Sequence, residues 1–108
     1  PFGGGMGHNS QVCGAVSGAV MVVGLRTTTA DNLHDRAAGF ETMAAVRDLV
    51  ARFEERHGTI QCRELIGHDI GSLEKSQAAM EAGAFVNCPK YVESAVTILD
   101  EMFDASRP

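Results

Sequence analysis

Apolar residues at Val12, Val16, Ala19, Val20, Val22, Val23 and Leu25 recur so densely that they surround a helix rather than stripe it, with Asn9 or Ser10 as the cap and Gly24 near its end. A helix apolar nearly all round is expected at the centre of a fold. The run over 12–25 is too short to cross a bilayer, which needs about 20 apolar residues. Gly14 and Gly18 share one face and Ala15 and Ala19 the next, so two adjacent stripes lack bulk and let neighbouring backbones approach. A threonine-rich polar stretch follows over 26–30, and Asp31 is placed to cap a second, long helix. Its apolar positions are Leu33, Ala37, Phe40, Met43, Val46, Leu49, Val50 and Phe53, at helical spacing. Gly58 should stop it, with Arg56 and His57 near its negative end.

The second half of the chain is more broken. Thr59-Ile60-Gln61 is a connector before Cys62-Arg63-Glu64-Leu65-Ile66-Gly67, a single helical turn closed by glycine, and Gly67-His68-Asp69-Ile70-Gly71 is another connector. Ser72 can cap a weaker helix reaching Ala82, with Leu73, Gln77, Met80 and Gly83 as a modest stripe. A last helix is expected over 88–103, with Tyr91, Val92, Ala95, Ile98, Leu99 and Met102 on one face and Lys90, Glu93, Thr97, Asp100 and Glu101 on the other. The methionines and phenylalanines at helical spacing are assigned to the core. No alternating strand pattern occurs, so the expected fold is all-α, a small bundle of about four helices in one domain over 1–108.

Composition adds limits. A 44% hydrophobic content supports a core in a chain of this length. The net charge of −5 and scattered Lys and Arg disfavour binding to nucleic acid or an anionic membrane. An odd count of three cysteines allows one internal disulfide at most, which suits a reducing compartment. No export signal is visible at Pro1, and a cytoplasmic location is expected.

The candidate chemistry centres on cysteine. In Gly3-Gly4-Gly5-Met6-Gly7-His8-Asn9-Ser10-Gln11-Val12-Cys13-Gly14, a glycine-rich loop opens a helix with Cys13 in its first turn. Free N–H groups and the helix dipole there favour a thiolate, hence nucleophilic, redox or metal-ligand chemistry. Cys62 and Cys88 also read as helix starts, the latter between Asn87 and Pro89, which points to one shared site. Taken singly, each is equally well a small core residue, and no Cys-x-x-Cys pair marks a metal site. His8 and His68 are candidate ligands or proton carriers set against the reading of ordinary loop histidines, Asp69 would orient His68 only through a geometry that adjacent positions do not guarantee, and His34 and His57 read as solvated or capping residues. The glycine loop fits neither nucleotide fingerprint, and its expected role is a tight turn that brings backbone close to the cysteines. A thiol enzyme with Cys13 as nucleophile and His8 or His68 as base has no recognisable partner motif and ranks last.

Four segments together resemble the redox-active family named for its C_GCAxxG_C_C cysteine pattern, also found in split-Soret cytochromes c. They are Phe2-Gly3-Gly4-Gly5-Met6-Gly7, Cys13-Gly14-Ala15-Val16-Ser17-Gly18-Ala19, Cys62-Arg63-Glu64-Leu65-Ile66-Gly67-His68-Asp69, and Cys88-Pro89-Lys90-Tyr91-Val92 with Ala95-Val96-Thr97-Ile98-Leu99. The resemblance implies a redox protein with an iron-sulfur cluster or another metal held by Cys13, Cys62 and Cys88. Gly14, Gly18, His8 and His68 are then the candidates to contact the bound group. Family members place a further helix and a fourth cysteine ahead of the loop at which this chain starts, so carry-over is limited to the three cysteines. Apolar surface on the first or second helix would then be uncovered, and a homodimer covering it is expected, alongside a redox partner protein. The rival expectation is a non-catalytic helical oligomerisation or binding module with a degenerate cysteine site.

Overall fold

Gly58 and Ser72, read from sequence as a helix stop and a helix start, act as both in the computed structural model of the chain. Gly58 takes a left-handed φ of 84° and closes a helix behind it, and the Ser72 hydroxyl accepts from the Lys75 N–H at 3.2 Å to open another. The structure describes residues 1–103. Among these described residues are five helices, α1 (Gly14–Thr27), α2 (Arg36–His57), α3 (Cys62–Ile66), α4 (Leu73–Glu81) and α5 (Cys88–Phe103). Among the described residues the one extended pairing is an isolated antiparallel bridge between Val12 and Gln61, and the fold is all-α.

Several boundaries moved from expectation. α1 is capped by neither Asn9 nor Ser10; Cys13 itself is the N-cap residue, its carbonyl accepting from the Val16 and Ser17 N–H groups at 3.0 Å. α2 is capped by Asp35, whose carboxylate accepts from the Ala37 N–H at 2.9 Å, rather than by Asp31. The cause is Asn32, whose side chain accepts from the Thr29 N–H and donates to the Thr27 carbonyl, holding the backbone in a turn that competes with helix. Leu33 is thereby left outside the helix and exposed.

Val16, Ala19 and Val23 of α1, Leu49 and Phe53 of α2, and Ala95 and Ile98 of α5 form the main core. α1 is not surrounded, contrary to its all-round apolar pattern: Met21 and Leu25 are 55% and 80% exposed. Only α2 and α5 pack on it extensively, and two neighbours cover one side of a helix. The amino-terminal half of α2 is also uncovered, leaving Phe40 and Met43 in solvent rather than in the core. The Thr27 and Thr42 hydroxyls meet at 2.8 Å, so α1 ends level with Thr42 and α2 residues ahead of it outrun their partner.

A second, smaller cluster of Cys62, Ile70 and Ala79, joined by Ile66, Ala84 and Phe85, lies under α3 and α4. α4 turns Ser76 and Ala79 inward and leaves Leu73 and Met80 exposed, reversing the expected stripe. Small residues suit that side because α4 lies against the glycine-rich loop, where His8 Nδ1 is 3.0 Å from Ser76 Oγ. The two clusters meet at the cysteines.

Candidate functional site

The loop before α1 is a short stretch of left-handed backbone. Gly4, Gly5, Met6, Gly7 and His8 all have φ between 62° and 73°, and Ser10 has 59°. Left-handed backbone disfavours residues with a Cβ, so Met6, His8 and Ser10 must be held by their surroundings. Hydrogen bonds from Met6 N–H to Phe2, His8 to Gly3, Ser10 to Gly4 and Gln11 to Gly5 carbonyls close the coil on itself. Ser10 anchors it. Its hydroxyl is fully buried, donates to Asp69 Oδ1 at 3.2 Å and accepts from the Ile70 N–H at 2.7 Å, while Arg63 Nε donates to its carbonyl at 3.1 Å. Asp69, which sequence paired with His68, accepts instead from the Gly71 N–H, Lys75 and Ser10, and these hold its carboxyl down to about 2.

That coil brings backbone against the thiols, as its glycine content led us to expect. A Cβ on Gly5 would stand 2.8 Å from the Cys62 Cβ, and one on Gly14 would stand 2.8 Å from the Phe2 carbonyl oxygen. The Cys13 N–H donates to Ile60 O at 2.8 Å and the Cys62 N–H to Gln11 O at 2.6 Å, flanking the Val12–Gln61 bridge. This small ladder joins two cysteines that are far apart in sequence. Cys88 opens α5, and the Tyr91 hydroxyl one turn later donates to the Leu65 carbonyl at 3.0 Å, docking that end of α5 on α3. Cys13, Cys62 and Cys88, all free thiols, line one cavity of about 470 Å³. The rest of its wall is backbone and hydrocarbon, including Gly14, Gly18, Val22, Leu65, Phe85 and Val92.

The electrostatics run against the expectation of stabilised thiolates. Burial pushes the Cys62 thiol up first, and negative charge at Cys13 and then Cys88 adds to it; Cys88 is raised by burial and by Cys13. Neutral thiols are therefore the resting form of Cys62 and Cys88. α3 is one turn long, and its leading N–H groups already donate to the Gln11 and Gln61 carbonyls, so little helix-end field remains for the sulfur.

The histidine candidates do not join this cavity. His8 turns to Ser76 and borders a smaller polar cavity with Asn9 and Ser72, and His68 is exposed in the connector after α3. His34 is exposed as expected, whereas His57 is half-buried in ring contacts rather than fully solvated. Its ring lies 4.6 Å from that of Phe53 and 5.0 Å from that of Tyr91, with Nε2 2.8 Å from Ser94 Oγ. Among the described residues, no three or more His, Cys, Asp or Glu side chains are grouped to hold a metal ion. The three thiols line one cavity, and neither His8 nor His68 joins them there. Sequence reading missed the anchoring role of Ser10 and the Phe85 and Leu65 walls, since each depends on contacts with distant segments.

The family model described as "Putative redox-active protein (C_GCAxxG_C_C)" matches residues 1–102. The chain belongs to that family. No curated protein and no solved structure shows significant similarity to it. The match covers the whole of the cavity, from the Phe2 end of the coil through Leu99 of α5, so the cysteine arrangement described above is that of a C_GCAxxG_C_C domain. Among the described residues, no helix is long and apolar enough to cross a membrane.

Proposed function

We propose that this C_GCAxxG_C_C protein works by thiol redox cycling, with Cys13 and Cys62 passing between dithiol and disulfide and Cys88 remaining as a third thiol in the same cavity. The observation that carries this reading is the placement of three free thiols on one cavity wall, two of them beside a shared backbone bridge. The redox character of the family supports it. Burial holds the Cys62 thiol in its neutral form, which reacts slowly with stray electrophiles and suits a thiol reserved for a bound partner. Electrons would pass to a redox partner, and a reducing compartment such as the cytoplasm would hold the resting protein as the dithiol. A second copy of the chain is the proposed structural partner, seated on the exposed Met21, Leu25, Phe40 and Met43.

The test is to count titratable thiols in anaerobically purified protein before and after diamide, map any disulfide, and measure iron, zinc and acid-labile sulfide on the same sample. Loss of two thiols with a Cys13–Cys62 peptide, in metal-free protein, is the expected result. Three thiols surviving diamide would sink the cycle and leave a binding module, in which Cys13→Ser changes stability alone. Stoichiometric iron and sulfide would replace the cycle with a cluster and electron transfer.

A further inference from the structure

α3 is a single turn, Cys62–Ile66, and a helix that short does not hold itself together. Ties to other segments set its place. The Cys62 N–H donates to the Gln11 carbonyl at 2.6 Å and Arg63 Nε to the Ser10 carbonyl at 3.1 Å. The Leu65 carbonyl, which has no partner within so short a helix, accepts from the Tyr91 hydroxyl at 3.0 Å. The Tyr91 ring meets that of His57 edge-on at 5.0 Å and lies 6.3 Å from that of Phe53, while His57 Nε2 is 2.8 Å from Ser94 Oγ on the next turn of α5. Tyr91 follows Cys88 by three positions and Leu65 follows Cys62 by three, so this hydrogen bond joins the two turns that start with these thiols.

Cys13 and Cys62 have an anchor that Cys88 lacks. Their N–H groups donate across the Val12–Gln61 bridge, whereas the Cys88 N–H goes to the Phe85 carbonyl at 3.1 Å, in the turn that leads into α5. The charge of Cys13 reaches both other thiols. Two pairings with Cys13 therefore compete, and a disulfide forms only within a narrow range of Cα separation and Cβ direction. For Cys88 that geometry is set by how the first turn of α5 docks on α3.

We propose that Tyr91 is a positioning residue that decides which two thiols pair: its bond to Leu65 holds the first turn of α5 in place, so that Cys88 does not displace Cys62 from Cys13. This role rests on the thiol-cycling reading above. Without the bond, the Cys88 thiol gives up its proton and its sulfur attacks that of Cys13. The Cys13–Cys62 S–S bond breaks, a Cys13–Cys88 S–S bond forms, and the Cys62 sulfur leaves with the electron pair and takes up a proton. The exchange consumes no oxidant.

Tyr91→Phe keeps the ring and removes the hydroxyl. It is compared with wild type and with Ile98→Val, which trims a fully buried core residue of α5 outside the thiol cavity. The readouts are the urea midpoint, the rate of Cys88 alkylation by iodoacetamide in the reduced protein, and the disulfide peptides formed with diamide. Wild type should yield the Cys13–Cys62 peptide alone. Tyr91→Phe should add a Cys13–Cys88 peptide and alkylate Cys88 about fivefold faster, the population shift that loss of one net hydrogen bond permits. Ile98→Val should lower the urea midpoint and do neither. A folded Tyr91→Phe with wild-type Cys88 reactivity and pairing overturns the positioning role and leaves thiol cycling standing. A Cys13–Cys88 peptide from Ile98→Val also overturns it, because general loosening then suffices. Three thiols surviving diamide in wild type and Tyr91→Phe alike overturn thiol cycling and the pairing role together. Should Tyr91→Phe lose its helical circular dichroism, His57→Leu, which removes the ring beside Tyr91 and keeps the hydroxyl, takes its place, and unchanged pairing there overturns the role.

Discussion

Ser10 shows how much one side chain decides here. It is polar, fully buried and in left-handed backbone, a combination that persists only where contacts outweigh strain. Its hydroxyl satisfies the Ile70 N–H and binds Asp69, tying the loop that touches Cys62 to the connector after α3. Ser10→Ala should cost about 1–3 kcal/mol, because it strands a buried donor and leaves the Asp69 carboxylate short of a partner. Urea unfolding would show a lower midpoint with the same slope; a change under about 0.5 kcal/mol would refute the anchoring role. In sequence Ser10 reads as an ordinary helix cap, since capping is judged from neighbours and its true partners lie some 60 positions away.

Among the elements, the packing of the α2 end on the start of α5 carries a pH-sensitive contact. His57, at the last position of α2, is wedged against Phe53 and Tyr91 and bonded to Ser94, and burial followed by the charge of Arg56 lowers its pKa. A group whose folded pKa is depressed contributes stability above its unfolded value, near 6.5, that is lost as pH falls through the folded value. Unfolding free energy should therefore drop on acidification from about pH 7 toward pH 5, and His57→Phe should flatten that slope. An unchanged slope in the variant would assign the loss to other groups. The other charges beside this contact are Arg52 and Arg56, paired with Glu101 at the surface. The helix ends themselves were legible from sequence where a cap acts locally, as at Gly58 and Ser72, and illegible at Asp31, where Asn32 diverted the chain.

At the scale of the molecule, the radius of gyration of 15.6 Å exceeds the roughly 13 Å of a compact chain this long. The excess and the exposed Met21, Leu25, Phe40 and Met43 have one origin, a three-helix core too small to cover α1 and the start of α2. The proposed dimer predicts a sedimenting mass of twice 11.5 kDa at micromolar concentration, reduced to the single chain by Phe40→Glu. A wild-type monomer across that range would remove the dimer and leave the apolar face to another partner.

The hydrophobic periods, the caps and the spacing of the glycines are properties of residues a turn apart, and from them the sequence by itself determined the all-α class, most helix ends and the family pattern. Which face of each helix is covered was beyond it. The 3.6-residue period marks an apolar stripe but not the number of neighbours that will pack on it, so α1 looked central and α4 looked oriented by Leu73 and Met80. The tertiary structure likewise decided the chemistry of the cysteines. A helix start favours a thiolate in isolation, but burial and the approach of other sulfur atoms oppose it, and both arise only when the bridge at Val12 and Gln61 folds distant segments onto one cavity.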